Sequence, residues 1–424
     1  MKNTLCLFVL FFIITTAASV SAQVLDAPMW DESTELNPND LKTYRDMVWE
    51  TWKEDMTENE ILLKETSEQT LEFEDVQMHY FIYAADGDKP ENGYPLYIAL
   101  HGGGNSQKND SQWDAMKSYY LENLEVGMYV APRGVRDTWD THFNPESYPL
   151  YDRLIEYMIL TEDVDPNRVY LEGFSAGGDG VYQIGARMSD RFAAVNMSSG
   201  HPNSISMVNY YNLPIQLQAG ENDTAFERNT ETAKYGMLLD SLQEENEDGY
   251  VHRTLIHADS GHNYRDSSPD PLPVMAYPED WLLEGNRETE MVDSFPPDYM
   301  DQFVRDPLPQ TVVWDLDTRA ELRKTKAFYY LSAEQDATGI IKIQRDGNYV
   351  NIETNEDFSG DFQIMFNEDM IDFEQPVHFI LPEGELDVMI HPEYEWLNFT
   401  TMDRCDPNYQ FEAAVSYQWL VEQL

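Results

Sequence analysis

The stretch that most constrains this chain is Val169-Tyr170-Leu171-Glu172-Gly173-Phe174-Ser175-Ala176-Gly177-Gly178. It reads as a short apolar strand running into G-x-S-x-G and then into a helix over about 177–189. A turn that tight holds its central residue in strained backbone and pushes the Ser175 hydroxyl out over the end of a sheet. Side chains at 173 and 177 would collide with the strand and the helix. The helix aims its N-terminus at the same spot, where free N–H groups and the dipole favour developing negative charge. By itself the motif arises by chance in roughly one chain in ten of this length. Its weight comes from its surroundings.

Those surroundings alternate. Residues 95–100, 127–131, 168–172, 192–198, 214–219 and 250–257 read as short, nearly continuous apolar strands. Between them, 111–123, 147–161, 177–189 and 231–244 suit helices. Such a pattern implies an α/β unit whose mostly parallel sheet is flanked by helices. Ahead of it, 70–73 and 77–84 read as a hairpin. Residues 39–56 have helical spacing and are expected to lie on this α/β unit. From 310 onward the rhythm changes: seven short strands at close spacing suggest a small C-terminal antiparallel β-sandwich, closed by a helix over 408–423. The Pro-rich stretch 296–309 reads as the linker. The expected division is a leader at 1–22, a helical extension at 23–65, the α/β unit at 66–309 and the β unit at 310–424.

Composition narrows the setting. The 424 residues carry 27 basic and 78 acidic side chains, a net charge of −51. Such an acidic protein repels nucleic acid and anionic membrane faces, and salt screens its self-repulsion. Lys2, the apolar run 5–14 and Val20-Ser21-Ala22 form a cleavable signal peptide, with the cut expected ahead of Gln23. The apolar run is too short for a membrane span. The expectation is a secreted or periplasmic protein. Cys6 leaves with the leader, so Cys405 stands alone and there is no internal disulfide.

A serine hydroxyl needs a base. Sheets of this kind supply partners in the order Ser, acid, His. Asp223 lies in Gly220-Glu221-Asn222-Asp223-Thr224 after a buried strand, and His262 follows the next strand in Ser260-Gly261-His262-Asn263. Separations of 48 and 39 residues leave room for the intervening elements. His262 would accept the Ser175 proton, and Asp223 would fix the imidazole tautomer and stabilise the imidazolium. Glu221 is the alternative acid and His257 the alternative base; His257 ends a strand, whereas His262 sits on a loop beside Gly261. The oxyanion of the transition state needs donors. The backbone N–H of Ala176 supplies one, and Gly103, in His101-Gly102-Gly103-Gly104 after strand 95–100, supplies the second. His101 is expected to orient that loop. Arg133, Arg136, Asp137, Trp139 and His142 follow another strand end and are expected to face the cleft. Trp139 and His201 are the candidate substrate contacts, each with an equally simple structural explanation.

Together, residues 100–104, 167–180, Gly200-His201-Pro202, the Asp223 loop and the Gly261-His262 turn resemble secreted bacterial esterases of the polyhydroxybutyrate-depolymerase/feruloyl-esterase type. These have the α/β-hydrolase fold and are related to dienelactone hydrolases and to prolyl-oligopeptidase catalytic units. The resemblance covers about residues 70–310 and is most specific over 173–182. It implies a serine carboxylic ester hydrolase with its triad on Ser175, Asp223 and His262, and no cofactor. Depolymerases of that group often carry disulfides near the site; this chain departs from them. Members with a C-terminal β domain are similar in Asp306-Pro307-Leu308-Pro309 through Trp314.

No His or Cys pairs stand at zinc spacing, and the acidic run 356–361 lacks an EF-hand pattern. The implied partner is a small-molecule or polymer-linked ester. The alternative is a catalytically silent or polysaccharide-binding protein, which an exposed aromatic strip among Tyr329, Tyr349, Phe362 and Trp396 would favour. A peptidase of prolyl-oligopeptidase type is a third reading, without a propeller to gate peptides.

Overall fold

The computed structural model describes residues 24–30, 32–103, 109–121, 124–263 and 300–424. The expected leader, Gly104 and residues 296–299 of the Pro-rich stretch lie outside them.

The chain opens on strand β1 (Leu25–Asp26) and helices α1 (Leu41–Thr57) and α2 (Glu60–Glu68). Asn59 starts α2: its side-chain oxygen accepts from the N–H groups of Ile61 and Leu62, two donors that the first turn leaves open. The α/β unit follows with β2 (Thr70–Phe73), β3 (Val76–Ala84), β4 (Tyr94–Leu100), α3 (Asn109–Tyr119), β5 (Met128–Pro132), α4 (Ser147–Thr161), β6 (Val164–Phe174), α5 (Ala176–Met188), β7 (Ala194–Ser198), β8 (Ile215–Gly220), α6 (Arg228–Glu245) and β9 (His252–His257). Its strands form one sheet in the order β2-β3-β5-β4-β6-β7-β8-β9. The pairs β2/β3 and β3/β5 are antiparallel; all the others are parallel.

Every residue of β5, β7 and β8 is buried, as strands covered on both faces must be. Successive side chains of β4 go to opposite layers. Leu96, Ile98 and Leu100 join the core built with α4 and α5, while Tyr97 and Ala99 pack with Met116 of α3. From β4 the chain crosses out to β5 and then returns to β6 on the other flank of β4. That reversal leaves a crevice at the carboxyl ends of β4 and β6, where ligands bind in such sheets.

The C-terminal unit contains β10 (Thr311–Asp315), β11 (Ala327–Phe328), β12 (Leu331–Ala333), β13 (Ile340–Asp346), β14 (Tyr349–Thr354), β15 (Phe362–Phe366), β16 (Val377–Leu381), β17 (Gly384–Met389), α7 (Tyr394–Arg404), β18 (Ala413–Ser416) and α8 (Tyr417–Gln423). A six-stranded sheet, β1-β17-β16-β14-β13-β10, faces a four-stranded one, β11-β12-β15-β18, over one shared apolar cluster. The expected sandwich is present, but it is not purely antiparallel: β14/β16 and β1/β17 are parallel pairs.

Three expectations need correcting. The N-terminal extension does not lie on the α/β unit alone. Its β1 completes the larger C-terminal sheet, and Leu41 and Val48 of α1 belong to the C-terminal core, while Trp49, Trp52 and Met56 pack on the α/β core. The expected closing helix over 408–423 is instead a 3-10 turn (Pro407–Tyr409), strand β18 and the short α8. Finally, residues 300–309 are no loose linker, since Arg305 is buried there.

Arg305 belongs to a sealed ionic network between the two units. Arg191 and Arg323 reach Asp152 at 2.9 and 3.0 Å; Arg323 and Arg404 reach Asp190 at 3.0 and 2.6 Å; Arg305 reaches Asp406 at 2.7 Å. With Glu156, 3.7 Å from Arg191, four guanidiniums face four carboxylates, and the more exposed Lys324 reaches Glu156 from the rim at 3.2 Å. Burial works against the ionised Asp152, yet Arg323 and Arg191 hold its carboxyl down to about 2.

Candidate active site

Ser175 follows β6 with φ 60° and ψ −119°, a left-handed conformation that a non-glycine residue adopts only when its surroundings enforce it. They do. The Ser175 N–H donates to the Ser198 carbonyl at 2.9 Å, and its own carbonyl accepts from the Asp179 N–H at 3.0 Å. A Cβ on Gly173 would lie 2.3 Å from the Gly177 carbonyl oxygen, and one on Gly177 would lie 2.0 Å from that of Leu100. The two glycines are what let β6, α5 and β4 approach this closely.

His262, beyond β9, closes the constellation. Its Nε2 is 2.9 Å from Ser175 Oγ, and its Nδ1 is 2.8 Å from Asp223 Oδ2. A carboxylate only accepts, so Nδ1 carries the hydrogen and Nε2 is left to accept from the serine hydroxyl. The Asp223 side chain is 1% exposed and the His262 side chain 40%, so the imidazole faces solvent while the carboxylate is sealed. The Asp223 turn is pinned by its N–H on the Gly220 carbonyl and by Asn229, whose Nδ2 donates to the Glu221 carbonyl. The three expected residues therefore meet.

The alternatives are occupied elsewhere. The Glu221 carboxylate accepts from the Asp259 N–H at 2.9 Å, tying together the loops after β8 and β9. His257 is buried, its ring is 3.0 Å from Gln218 Oε1, and burial pushes its pKa down to about 4.

The loop after β4 is fixed by His101. Its Nε2 accepts from the Gly134 N–H at 2.9 Å, so Nδ1 carries the hydrogen and donates to the Gly102 carbonyl at 2.6 Å. Burial holds this imidazole neutral, down to about 4. A Cβ on Gly102 would sit 3.3 Å from the Ser175 Cβ, which puts this backbone directly beside the serine. Gly103 has φ +111°, and a Cβ there would meet Asn109 Oδ1 at 2.8 Å. Ala176 is the first residue of α5, where N–H groups have no intrahelical acceptor.

The expected substrate contacts divide. Trp139 is 52% exposed, with its ring edge-on to Phe143. Arg133 is spent on Asp110 and Asp137, and Arg136 on Glu146 and Asp75; these pairs brace the loop. His142 does not face the cleft. It is buried under it, its Nε2 donating to the His101 carbonyl at 2.8 Å. His201 is half-buried, with its N–H on Asp179 Oδ1 at 2.7 Å and its ring accepting from the Asn203 N–H at 3.0 Å. Asp179 and Asn203 were not singled out from sequence. The only signal was an acidic residue one turn after Ser175, and burial raises the Asp179 carboxyl above the usual carboxylate range. Among the described residues, no group of three His, Cys, Asp or Glu side chains converges as a metal site would, and no helix is long and apolar enough to cross a membrane.

The strand order, the reversal between β4 and β6 and the elbow at Ser175 define an α/β-hydrolase fold. No family model matches the chain. In sequence it is similar to a probable feruloyl esterase C of Aspergillus niger, 28% identical over 124 residues, which is 28% of this chain and 46% of that protein. Feruloyl esterase C of Emericella nidulans is 29% identical over 124 residues, 28% of this chain and 46% of that protein. The bifunctional acetylxylan esterase/xylanase XynS20E of Neocallimastix patriciarum is 31% identical over 124 residues, 28% of this chain and 17% of that protein. The chain thus spans less than half the length of the curated relatives it matches. Among solved structures, LpqC, a poly(3-hydroxybutyrate) depolymerase from Bordetella parapertussis, aligns over 44% of this chain and 80% of its own at 17% identity and a TM-score of 0.36.

Proposed function

We propose that the chain is a secreted serine hydrolase that cleaves a carboxylic ester. The observation that carries this reading is the hydrogen-bonded relay Ser175–His262–Asp223 on an elbow that holds Ser175 at positive φ. The similarity to feruloyl esterases supports it.

In this reading His262 Nε2 takes the Ser175 proton as Oγ attacks the ester carbonyl, then delivers it to the departing alkoxide. Asp223, buried and bonded to Nδ1, holds the tautomer that makes Nε2 basic and stabilises the imidazolium. The N–H groups of Ala176 and Gly103 form the oxyanion hole, and His101 keeps the second in place through Gly102. Water then cleaves the acyl-enzyme by the same route. Trp139 is the candidate for stacking on the acyl group, and His201 for lining the pocket. The chemistry lies in residues 66–309. Secretion follows from the leader and is checked by the mass of the mature N-terminus, expected at Gln23.

The test is hydrolysis of nitrophenyl esters, from short to long acyl and feruloyl, in high salt. The wild type should turn over at least one ester, and Ser175→Ala should lose at least ~10³-fold in kcat/KM. A folded wild type inert on the whole panel would remove the reading.

A further inference from the structure

One groove, remote in sequence from the triad, carries recognition chemistry that neither the fold nor the proposed reaction uses. We propose that the C-terminal unit binds a neutral polysaccharide chain between α7 and the outer face of the four-stranded sheet. The groove encloses about 410 Å³. Trp396, Phe399 and Asp403 stand at i, i+3 and i+7 of α7, so they share one helix face and form one wall. Ser332 on β12 and Gln363 on β15 form the floor. They are direct cross-strand partners, both half-buried, and neither side chain has a hydrogen-bond partner among the described residues.

Trp30 lengthens the aromatic wall. Its ring centroid lies 4.9 Å from that of Trp396 and 5.8 Å from that of Phe399, and its backbone N–H donates to the Glu393 carboxylate at 2.7 Å. Trp30 is 43% and Phe399 46% exposed. A cluster that served only to anchor the N-terminal arm would bury its rings. Adjacent large rings left in water, rimmed by polar groups, mark a binding surface. Of the four aromatic residues suggested by the sequence, Tyr329 and Phe362 are core, Tyr349 is exposed on the other sheet, and Trp396 belongs here.

The occupant follows from the chemistry. A pyranose offers an apolar C–H face for a ring to stack on, and hydroxyls that an amide and a hydroxyl can bond. Asp403 Oδ2 is already taken by the Thr325 hydroxyl at 2.7 Å, whereas Ser332 and Gln363 on the floor, with the exposed Glu334 and Gln335 at the rim, offer side-chain polar groups to a ligand. A net charge of −51 disfavours polyanionic polymers, and equally a second copy of the chain. A protein partner would need roughly 800 Å² of complementary surface, with an apolar centre where this floor is polar.

The proposal does not rest on ester hydrolysis, because binding is read without turnover. Full-length chain carrying Ser175→Ala is run through native gels containing arabinoxylan or mixed-linkage β-glucan, and mixed with insoluble xylan and cellulose. Retention on at least one polymer is expected. Both Trp396→Ala/Phe399→Ala and Ser332→Ala/Gln363→Ala should weaken it at least ~10-fold with thermal melts within a few degrees of the parent. The polar pair keeps the test valid if the aromatic pair fails to fold. No retention on any polymer, or unchanged retention in the polar pair, overturns the proposal. So does concentration-dependent dimerisation that Trp396→Ala abolishes, which would assign the groove to a second copy.

Discussion

Two polar clusters sit at opposite ends of the same parallel strands. At the carboxyl ends, Ser175, His262 and Asp223 form a relay with one sealed member and one open to solvent. At the other end, Asp152, Glu156, Asp190 and Asp406 face Arg191, Arg305, Arg323 and Arg404 with every side chain buried. The first leaves Ser175 Oγ and one side of the imidazole accessible to a reactant. The second leaves nothing accessible, and its charges are matched one for one. Burying an ion costs several kcal/mol, and only close pairing repays it. The difference teaches where polarity serves chemistry and where it fixes geometry: an open end marks the former, closure and neutrality the latter.

The comparison breaks most readily through the acid of each cluster. Asp223→Asn should lower kcat/KM on any accepted ester by ~10⁴-fold, by stabilising the wrong His262 tautomer, with stability little changed. Urea unfolding beside steady-state kinetics separates the two effects. Asp152→Ala should do the reverse. It leaves Arg191 and Arg323 buried with a partner missing, costing about 3–5 kcal/mol, while the folded fraction keeps its kcat. The wild-type Asp152 carboxyl is depressed to about 2, so its contribution is complete above pH ~4 and is lost as pH falls from there towards 2. Acid unfolding curves should therefore be shallower in the variant.

Glu412 sharpens the comparison, because it is buried but poorly matched. Arg45 lies 3.4 Å away yet is shared with Glu368 and Asp369, so burial wins and raises the Glu412 carboxyl to about 8. The folded state then holds a proton that the unfolded chain has released above pH ~4.5, and stability should fall as pH rises from about 4.5 to 8. Glu412→Gln should remove that slope, worth up to about 5 kcal/mol in melts across the window. The smallest effect is reserved for the rejected base. His257→Asn loses one buried hydrogen bond, about 1 kcal/mol, and should leave kcat/KM within a few-fold.

The hydrogen-bonded meeting of Ser175, His262 and Asp223 was legible because each follows a buried strand in a fixed chain order. Helix 147–161 was legible too: it carries uninterrupted helical spacing and matches α4 end to end. What the sequence concealed depends on tertiary partners. Ala413, Val415 and Tyr417 are buried in alternation, a strand signal absorbed into a helix expectation. Thr400, Thr401 and three aromatic residues masked α7, since their propensity is overridden by packing on the sheet. His142 reads as a loop histidine until the fold shows His101 above it. The arginines of the ionic network look like any surface charge in a chain with 78 carboxylates.

The most direct test of the central claim is covalent. The chain is treated with a fluorophosphonate, which phosphonylates only a serine activated by a base, and the adduct is mapped by peptide mass spectrometry. A single modification at Ser175, absent in Ser175→Ala and strongly slowed in His262→Ala, is the predicted result. A folded chain that stays unmodified, or one labelled elsewhere at the same rate in all three proteins, would contradict it.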